Sequence, residues 1–289
     1  MTATFQYDYL ETNGVRLHYA HQGSGPLMLF LHGFPEFWYS WRHQLAAFAE
    51  DYHVVAVDLR GYNRSDIPKG KAPFRLPVLL DDVKGIIHAL GYQEAILVAH
   101  DWGGAIAWSF AYDHPEMVQQ LIVMNIPHPA KLRAGLRSPR QLLRSWYMFF
   151  FQMTALPEWW FSARNHQGIA DAFAKMAIRK SAFTAEDLDA FRDAAAQPGA
   201  LTAMINYYRA TLRLYLKNNR PQEQTVLKVP TLMIWGEEDM VLGKELTYGT
   251  EDYVADFTLH YIPDCSHWVQ QEQPELVNQY MRAFLADKA

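Results

Sequence analysis

The sequence predicts an α/β fold: a mostly parallel, doubly wound sheet with an inserted helical cap. Short continuous Val/Ile/Leu runs alternate with helical stretches through the first half of the chain, the pattern of strands buried on both faces. Strand-like runs then stop between about Pro129 and Pro221 and resume at Pro230, so the sheet is split around an insertion. The 289 residues, 50% of them hydrophobic and 14% aromatic, supply enough apolar surface for one large core with such an insert.

The first expected strand is LMLFLH, Leu27 to His32, followed by an aromatic-rich amphipathic helix from Trp38 to Glu50. HVVAVD (His53 to Asp58) gives the next strand, and LLDDVKGIIHALG (Leu79 to Gly91) the next helix. AILVAH (Ala95 to His100), GGAIAWSFAYDH (Gly103 to His114) and LIVMN (Leu121 to Asn125) continue the alternation as strand, helix and strand. Inside the insertion only helical segments occur, among them RQLLRSWYMFFFQM, EDLDAFRDAAA and ALTAMINYYRATLRLY. The β/α pattern returns with PTLMIWG (Pro230 to Gly236) and FTLHYIP (Phe257 to Pro263) and closes on PELVNQYMRAFL (Pro274 to Leu285), a helix opened by proline. The expected organisation is core over 1–128, cap over 129–225 and core again over 226–289.

The formal net charge of -5, with no basic stripe, argues against a nucleic-acid partner. The single cysteine, Cys265, cannot form an internal disulfide, and the N-terminal sequence lacks the basic and apolar regions of a secretion signal; a cytoplasmic protein is expected. The apolar run from Tyr147 to Phe161 is interrupted by Gln152, Pro157 and Glu158 and is too short to span a bilayer. No stable membrane insertion is expected, although interfacial contact stays open.

AHDWG (Ala99 to Gly103) lies between an expected strand and an expected helix, with small residues on both sides of Asp101. A sharp strand-to-helix turn leaves no room for bulky flanks and lifts its central side chain above the sheet edge, the geometry of a nucleophile elbow. The helix start behind it favours a negative charge. Taken alone, the pentapeptide suits equally an Asp that only caps the helix. WGEED (Trp235 to Asp239) and DCSHW (Asp264 to Trp268) add an acid and a histidine after two late strands, in the order nucleophile, acid, histidine. Strand ends of an open parallel sheet converge on one edge, so Asp101, Asp239 and His267 can meet. Glu237 and Glu238 are adjacent rivals to Asp239. HGFP (His32 to Pro35) follows the first expected strand, where a loop contributes one backbone N–H to an oxyanion hole; the expected donors are the main chains of Phe34 and Trp102.

HGFPEFWYSWRHQ, DLRGYNRSD, HDWGG, WYMFFFQ, INYYRA, WGEED and SHWVQQEQPELVN together resemble the epoxide hydrolases of the α/β-hydrolase superfamily, over nearly the whole chain. The resemblance implies the α/β-hydrolase fold, a small-molecule epoxide substrate and two cap tyrosines aimed at the nucleophile. Tyr208 in NYYR matches one, with Tyr207 as a neighbouring rival. Tyr147 matches the other, although an aromatic run on a helix also suits core packing. A neutral phenol can donate to, and protonate, the alkoxide that ring opening creates. Two departures from the family pattern, Asn63 in the G-Y-G turn and Ala99 before His100, remove no chemical group.

The expected reaction is attack by the Asp101 carboxylate on an epoxide carbon, followed by hydrolysis of the ester by water that His267, oriented by Asp239, deprotonates. No cofactor and no metal are expected. Phe37, Trp38, Trp102, Met148 and Phe151 are the expected substrate contacts, with Trp159 and Trp160 as further aromatic candidates. Haloalkane dehalogenation with the same acid and histidine is the nearest alternative, and a non-catalytic ligand-binding protein on this fold the more distant one. Monomer and homodimer both stay open.

Overall fold

The computed structural model describes residues 5–217 and 225–288. Eight strands form one sheet in the order β1-β2-β4-β3-β5-β6-β7-β8. From β4 onward the sheet is parallel: β3 (Leu27–Leu31), β4 (His53–Val57), β5 (Ala95–His100), β6 (Val118–Met124), β7 (Thr231–Gly236) and β8 (Phe257–Ile262). Strands β3, β5 and β7 are buried throughout, which is why they read as unbroken apolar runs rather than alternating ones. Helices α1 (Arg42–Phe48), α2 (Leu76–Ala89), α3 (Asp101–Asp113) and, later, α10 (Val269–Glu272) and α11 (Pro274–Asp287) complete the α/β layers.

The sequence reading begins the sheet at Leu27 and so passes over an antiparallel hairpin, β1 (Gln6–Thr12) with β2 (Val15–Gln22), whose second strand pairs antiparallel with β4. The edge strand β1 is mostly exposed, so no apolar run announces it. Its turn was legible: Asn13 and Gly14 both hold positive φ, 47° and 72°, as a two-residue Asn-Gly hairpin turn requires.

Among the described residues, six α-helices lie between β6 and β7: α4 (Pro129–Gly135), α5 (Pro139–Arg144), α6 (Trp146–Phe150), α7 (Leu156–Met176), α8 (Ala185–Ala195) and α9 (Ala200–Lys217). The expected helix over RQLLRSWYMFFFQM is two short ones, α5 and α6, broken at Ser145. Helix α7 is interrupted by a left-handed stretch at Arg164, Asn165 and His166. A Thr184/Asp187 capping box starts α8. Residues 218–224, within the stretch expected to close the cap, lie outside the described residues. No helix among the described residues is long and apolar enough to cross a membrane.

Candidate active site

The order of the sheet reverses between β3 and β5, because the chain runs outward from β3 to β4 and returns to β5. Ligands of open α/β sheets bind at such a switch point, beyond the carboxyl ends of the strands. Asp101 stands there, directly after β5, with φ at +47°. A non-glycine residue in the left-handed region carries strain that its surroundings must hold. The neighbouring glycines make the turn possible: a Cβ on Gly33 would meet the Asp101 Cβ at 2.4 Å, and one on Gly103 would meet the Leu31 carbonyl oxygen at 2.2 Å.

The two carboxylate oxygens of Asp101 have different partners. Oδ1 accepts the Phe34 backbone N–H at 2.8 Å, and Oδ2 lies 3.6 Å from His267 Nε2. Trp102 occupies the first turn of α3, where backbone N–H groups have no acceptor within the helix. On the far side of His267, Nδ1 is 2.7 Å from Asp239 Oδ2. Asp239 is itself fixed: its Oδ1 accepts Val241 N–H at 2.7 Å and Leu242 N–H at 2.9 Å, and its Oδ2 accepts Asn125 Nδ2 at 2.8 Å. The neighbouring acids are occupied elsewhere, Glu237 with the Lys244 ammonium and Glu238 with the Cys265 backbone N–H. Asp239 is therefore the acid that reaches the histidine.

These contacts set the charges. Burial opposes ionisation of Asp101, but the close approach and charge of His267, the charge of His100 and the Phe34 N–H outweigh it, and the carboxyl lies below its usual value. Burial likewise opposes ionisation of Asp239, and the charge and hydrogen bond of His267, with Leu242 and Asn125, again lower it. Burial would lower His267; the charge of Asp239 and the contacts with Asp101 instead push it up to about 10. The resting site is thus an imidazolium between two carboxylates.

A cavity of about 250 Å³ opens above Asp101 and His267, lined mostly by apolar groups such as Phe34, Phe151, Phe161 and Trp268. Tyr147 of α6 and Tyr208 of α9 both line it, their rings 5.8 Å apart and nearly perpendicular. Burial, and then the nearby Asp101 charge, raise both phenols well above their usual value, so both stay protonated donors. The rival Tyr207 points away: its hydroxyl donates to the Arg60 carbonyl at 2.8 Å.

Phe151 and Trp160 line this cavity, Trp159 is exposed and lines neither, and Met148 and Trp102 line a small adjoining one that also touches Asp101. The expectation for Phe37 and Trp38 is corrected. Both line a separate recess against α8, because Phe37 packs on Tyr39 and Phe191 while the Trp38 backbone N–H is tied to Asp58. An aromatic residue following the HGFP loop need not face the site that loop builds. Cys265 is fully buried, its thiol raised by burial, and it is not among the lining residues of the cavity. Asn63 holds φ +45° and its Nδ2 donates to Asp58, which explains why it can stand where a glycine is usual.

Sequence reading missed two supports. Asn125, at the end of β6, bridges Asp239 and the Gly236 N–H, which its Oδ1 accepts at 2.9 Å. Glu36 is fully buried and accepts from Gly33 N–H, Gln270 and Gln271, with His100 Nδ1 at 2.7 Å; the other His100 nitrogen meets the His267 carbonyl at 2.8 Å. These contacts tie the loop after β3 to the loop that carries His267. The polar Asn ending LIVMN and the acid within HGFPE were the available signals.

A family model described as the alpha/beta hydrolase fold matches residues 26–274. The chain is 43% identical to "Epoxide hydrolase 4" of Mus musculus over 99% of its own length and 80% of that protein's. It is 40% identical to the "AB hydrolase superfamily protein YfhM" of Bacillus subtilis, covering 97% of this chain and 98% of that one. Among solved structures it resembles an inhibitor complex of the Bacillus megaterium epoxide hydrolase, with TM-score 0.91 and 39% identity over 96% of this chain and 100% of the other.

Proposed function

This chain belongs to the epoxide hydrolases of the α/β-hydrolase superfamily, and from that premise we infer that it adds water to an apolar epoxide through a covalent ester on Asp101. The observation that carries the residue assignment is the split environment of the Asp101 carboxylate, main chain on Oδ1 and histidine facing Oδ2. We take 129–225 as a cap that closes over this site from the core.

In the first step Oδ2 attacks an epoxide carbon and the C–O bond breaks. Tyr147 and Tyr208, neutral and facing the cavity, donate to the departing oxygen, and one of them passes it a proton. Ester formation removes the negative charge of Asp101. Part of what holds His267 protonated is lost with it, and the imidazolium gives its proton back to the tyrosinate that ring opening left, so the phenol is restored and His267 becomes a base. In the second step His267 Nε2 takes a proton from water, which attacks Cγ of Asp101. The oxyanion forms on Oδ1, where Phe34 N–H already stands and the Trp102 N–H joins it. Asp239 stabilises the imidazolium, the Cγ–Oδ2 bond breaks as the tetrahedral species collapses, and the departing oxygen takes up the proton of the added hydroxyl by way of His267, so that a vicinal diol leaves with Asp101 again a carboxylate and His267 again an imidazolium.

The test sets diol formation from styrene oxide beside halide release from simple haloalkanes. Diol without halide is expected. Halide release without diol would assign the acid and histidine to dehalogenation, in which paired tyrosine donors have no leaving alkoxide to serve.

A further inference from the structure

The cap carries an exposed apolar surface beside the substrate cavity. Eight of the fourteen exposed large hydrophobic side chains among the described residues fall within 142–160, including Leu143 at 76% exposure, Trp146, Phe149, Met153, Trp159 and Trp160. Single exposed apolar residues are ordinary, but a concentration of this kind marks an interaction surface. Two of its tryptophans, Trp146 and Trp160, also line the substrate cavity, as does the exposed Met240 from the core. The exposed apolar stretch therefore adjoins the substrate cavity.

Charge identifies what the patch faces. Residues 117–157 contain no Asp or Glu but carry Lys131, Arg133, Arg137, Arg140 and Arg144, in a chain whose formal net charge is -5. Arg137 and Arg140 are exposed. Glu245 of the core lies 3.7 Å from Arg140 and 3.6 Å from Arg144, a partly exposed contact of the kind that contributes little at a surface, so the positive charge of the patch rests on the exposed Arg137 and Arg140 alone. Tryptophans beside basic residues on short helices are the chemistry of the bilayer interface, where indoles sit at headgroup depth and cations meet anionic lipid. A second copy of the chain would instead bring like charges together.

We propose that the cap face beside the cavity docks peripherally on an anionic lipid surface, so that lipophilic substrate passes from the bilayer directly into the site. Docking is independent of the chemistry; the delivery of an epoxide rests on the proposed reaction, and the two are read out separately.

The test is flotation of the intact protein with phosphatidylcholine vesicles, with and without about one third phosphatidylglycerol, at low and high salt. Binding about tenfold stronger to the anionic vesicles and weakened by salt is expected, since each cation near the surface contributes about fivefold. Arg137→Glu with Arg140→Glu should weaken binding at least about tenfold. Leu143→Ser with Trp159→Ser should do the same while leaving turnover of a water-soluble epoxide within about twofold, because neither residue contacts the cavity. Absence of vesicle binding, or binding that neither double variant changes, would overturn the proposal. So would a concentration-dependent dimer in sedimentation that Leu143→Ser with Trp159→Ser abolishes, which would give the face to a second copy.

Discussion

His267 Nε2 stands 3.6 Å from Asp101 Oδ2, beyond the usual range of an N–H···O bond. The two attract as charges without being locked together, and the carboxylate keeps the lone pair that attacks carbon. The same separation leaves Cγ open to a water deprotonated by the histidine once Oδ2 carries the substrate.

From that separation of roles it follows that His267→Gln forms the ester but does not hydrolyse it. Steady-state turnover should fall by about a thousandfold, within the range of a positioned general base, while stopped-flow still shows one equivalent of epoxide consumed per site. Intact-mass measurement of the variant should show the adduct. A variant that neither turns over nor accumulates adduct would place His267 in the first step.

Tyr147→Phe and Tyr208→Phe should each slow ester formation by about tenfold to a hundredfold, and the double variant by much more than either, because each phenol can act in the absence of the other. Tyr207→Phe is the control. It loses a hydroxyl that donates to the Arg60 carbonyl, so it should lower stability by about 1 kcal/mol and leave the alkylation rate within a few-fold. Single-turnover rates and denaturant midpoints for the three variants separate these outcomes.

The charge of the site predicts a pH signature. Asp239 and Asp101 hold His267 up to about 10 against burial. A raised pKa stabilises the fold fully below the unfolded value of about 6.5, and that stabilisation is lost as pH rises through about 10. Asp101→Asn removes one carboxylate, as ester formation does, and should lower the His267 midpoint measured by NMR. Decay of the ester in the native enzyme should accordingly accelerate with pH around a midpoint below about 10. Equal His267 midpoints in native protein and variant would remove the coupling between the two steps.

Asn125→Ala should loosen the acid rather than the nucleophile. It strips one donor from Asp239 and the acceptor of Gly236 N–H, and it places alanine at φ +43°. Stability should fall by about 2 to 4 kcal/mol from the unpaired Gly236 N–H, the donor lost to Asp239 and the strain. Ester hydrolysis should slow more than ester formation, because only the second step needs an oriented base.

Legibility in the sequence followed burial and covalent proximity. Strands β3, β5 and β7 announced themselves because every residue in them is buried, and AHDWG because its turn tolerates only small flanks. The hairpin β1–β2 did not, since an exposed edge strand has no apolar run to show. Within WGEED the sequence favours Asp239 but leaves Glu237 and Glu238 as rivals; only the fold ties Glu237 to Lys244 and Glu238 to Cys265. Phe37 and Trp38 misled because nearness in sequence to HGFP says nothing about which face of the following turn looks at Asp101. Asn125 and Glu36 act through long-range contacts, and such partners are invisible until β6, β7 and the loop after β3 are brought to one edge.

The most direct test of the account is a single turnover in heavy-oxygen water with enzyme in excess over epoxide, followed by mass spectrometry of the Asp101 peptide and of the diol. One solvent oxygen is expected in Asp101 and none in the diol, whose new oxygen comes from the carboxylate. Solvent oxygen in the diol with Asp101 unlabelled would mean that water attacks the epoxide directly, and would contradict the covalent ester.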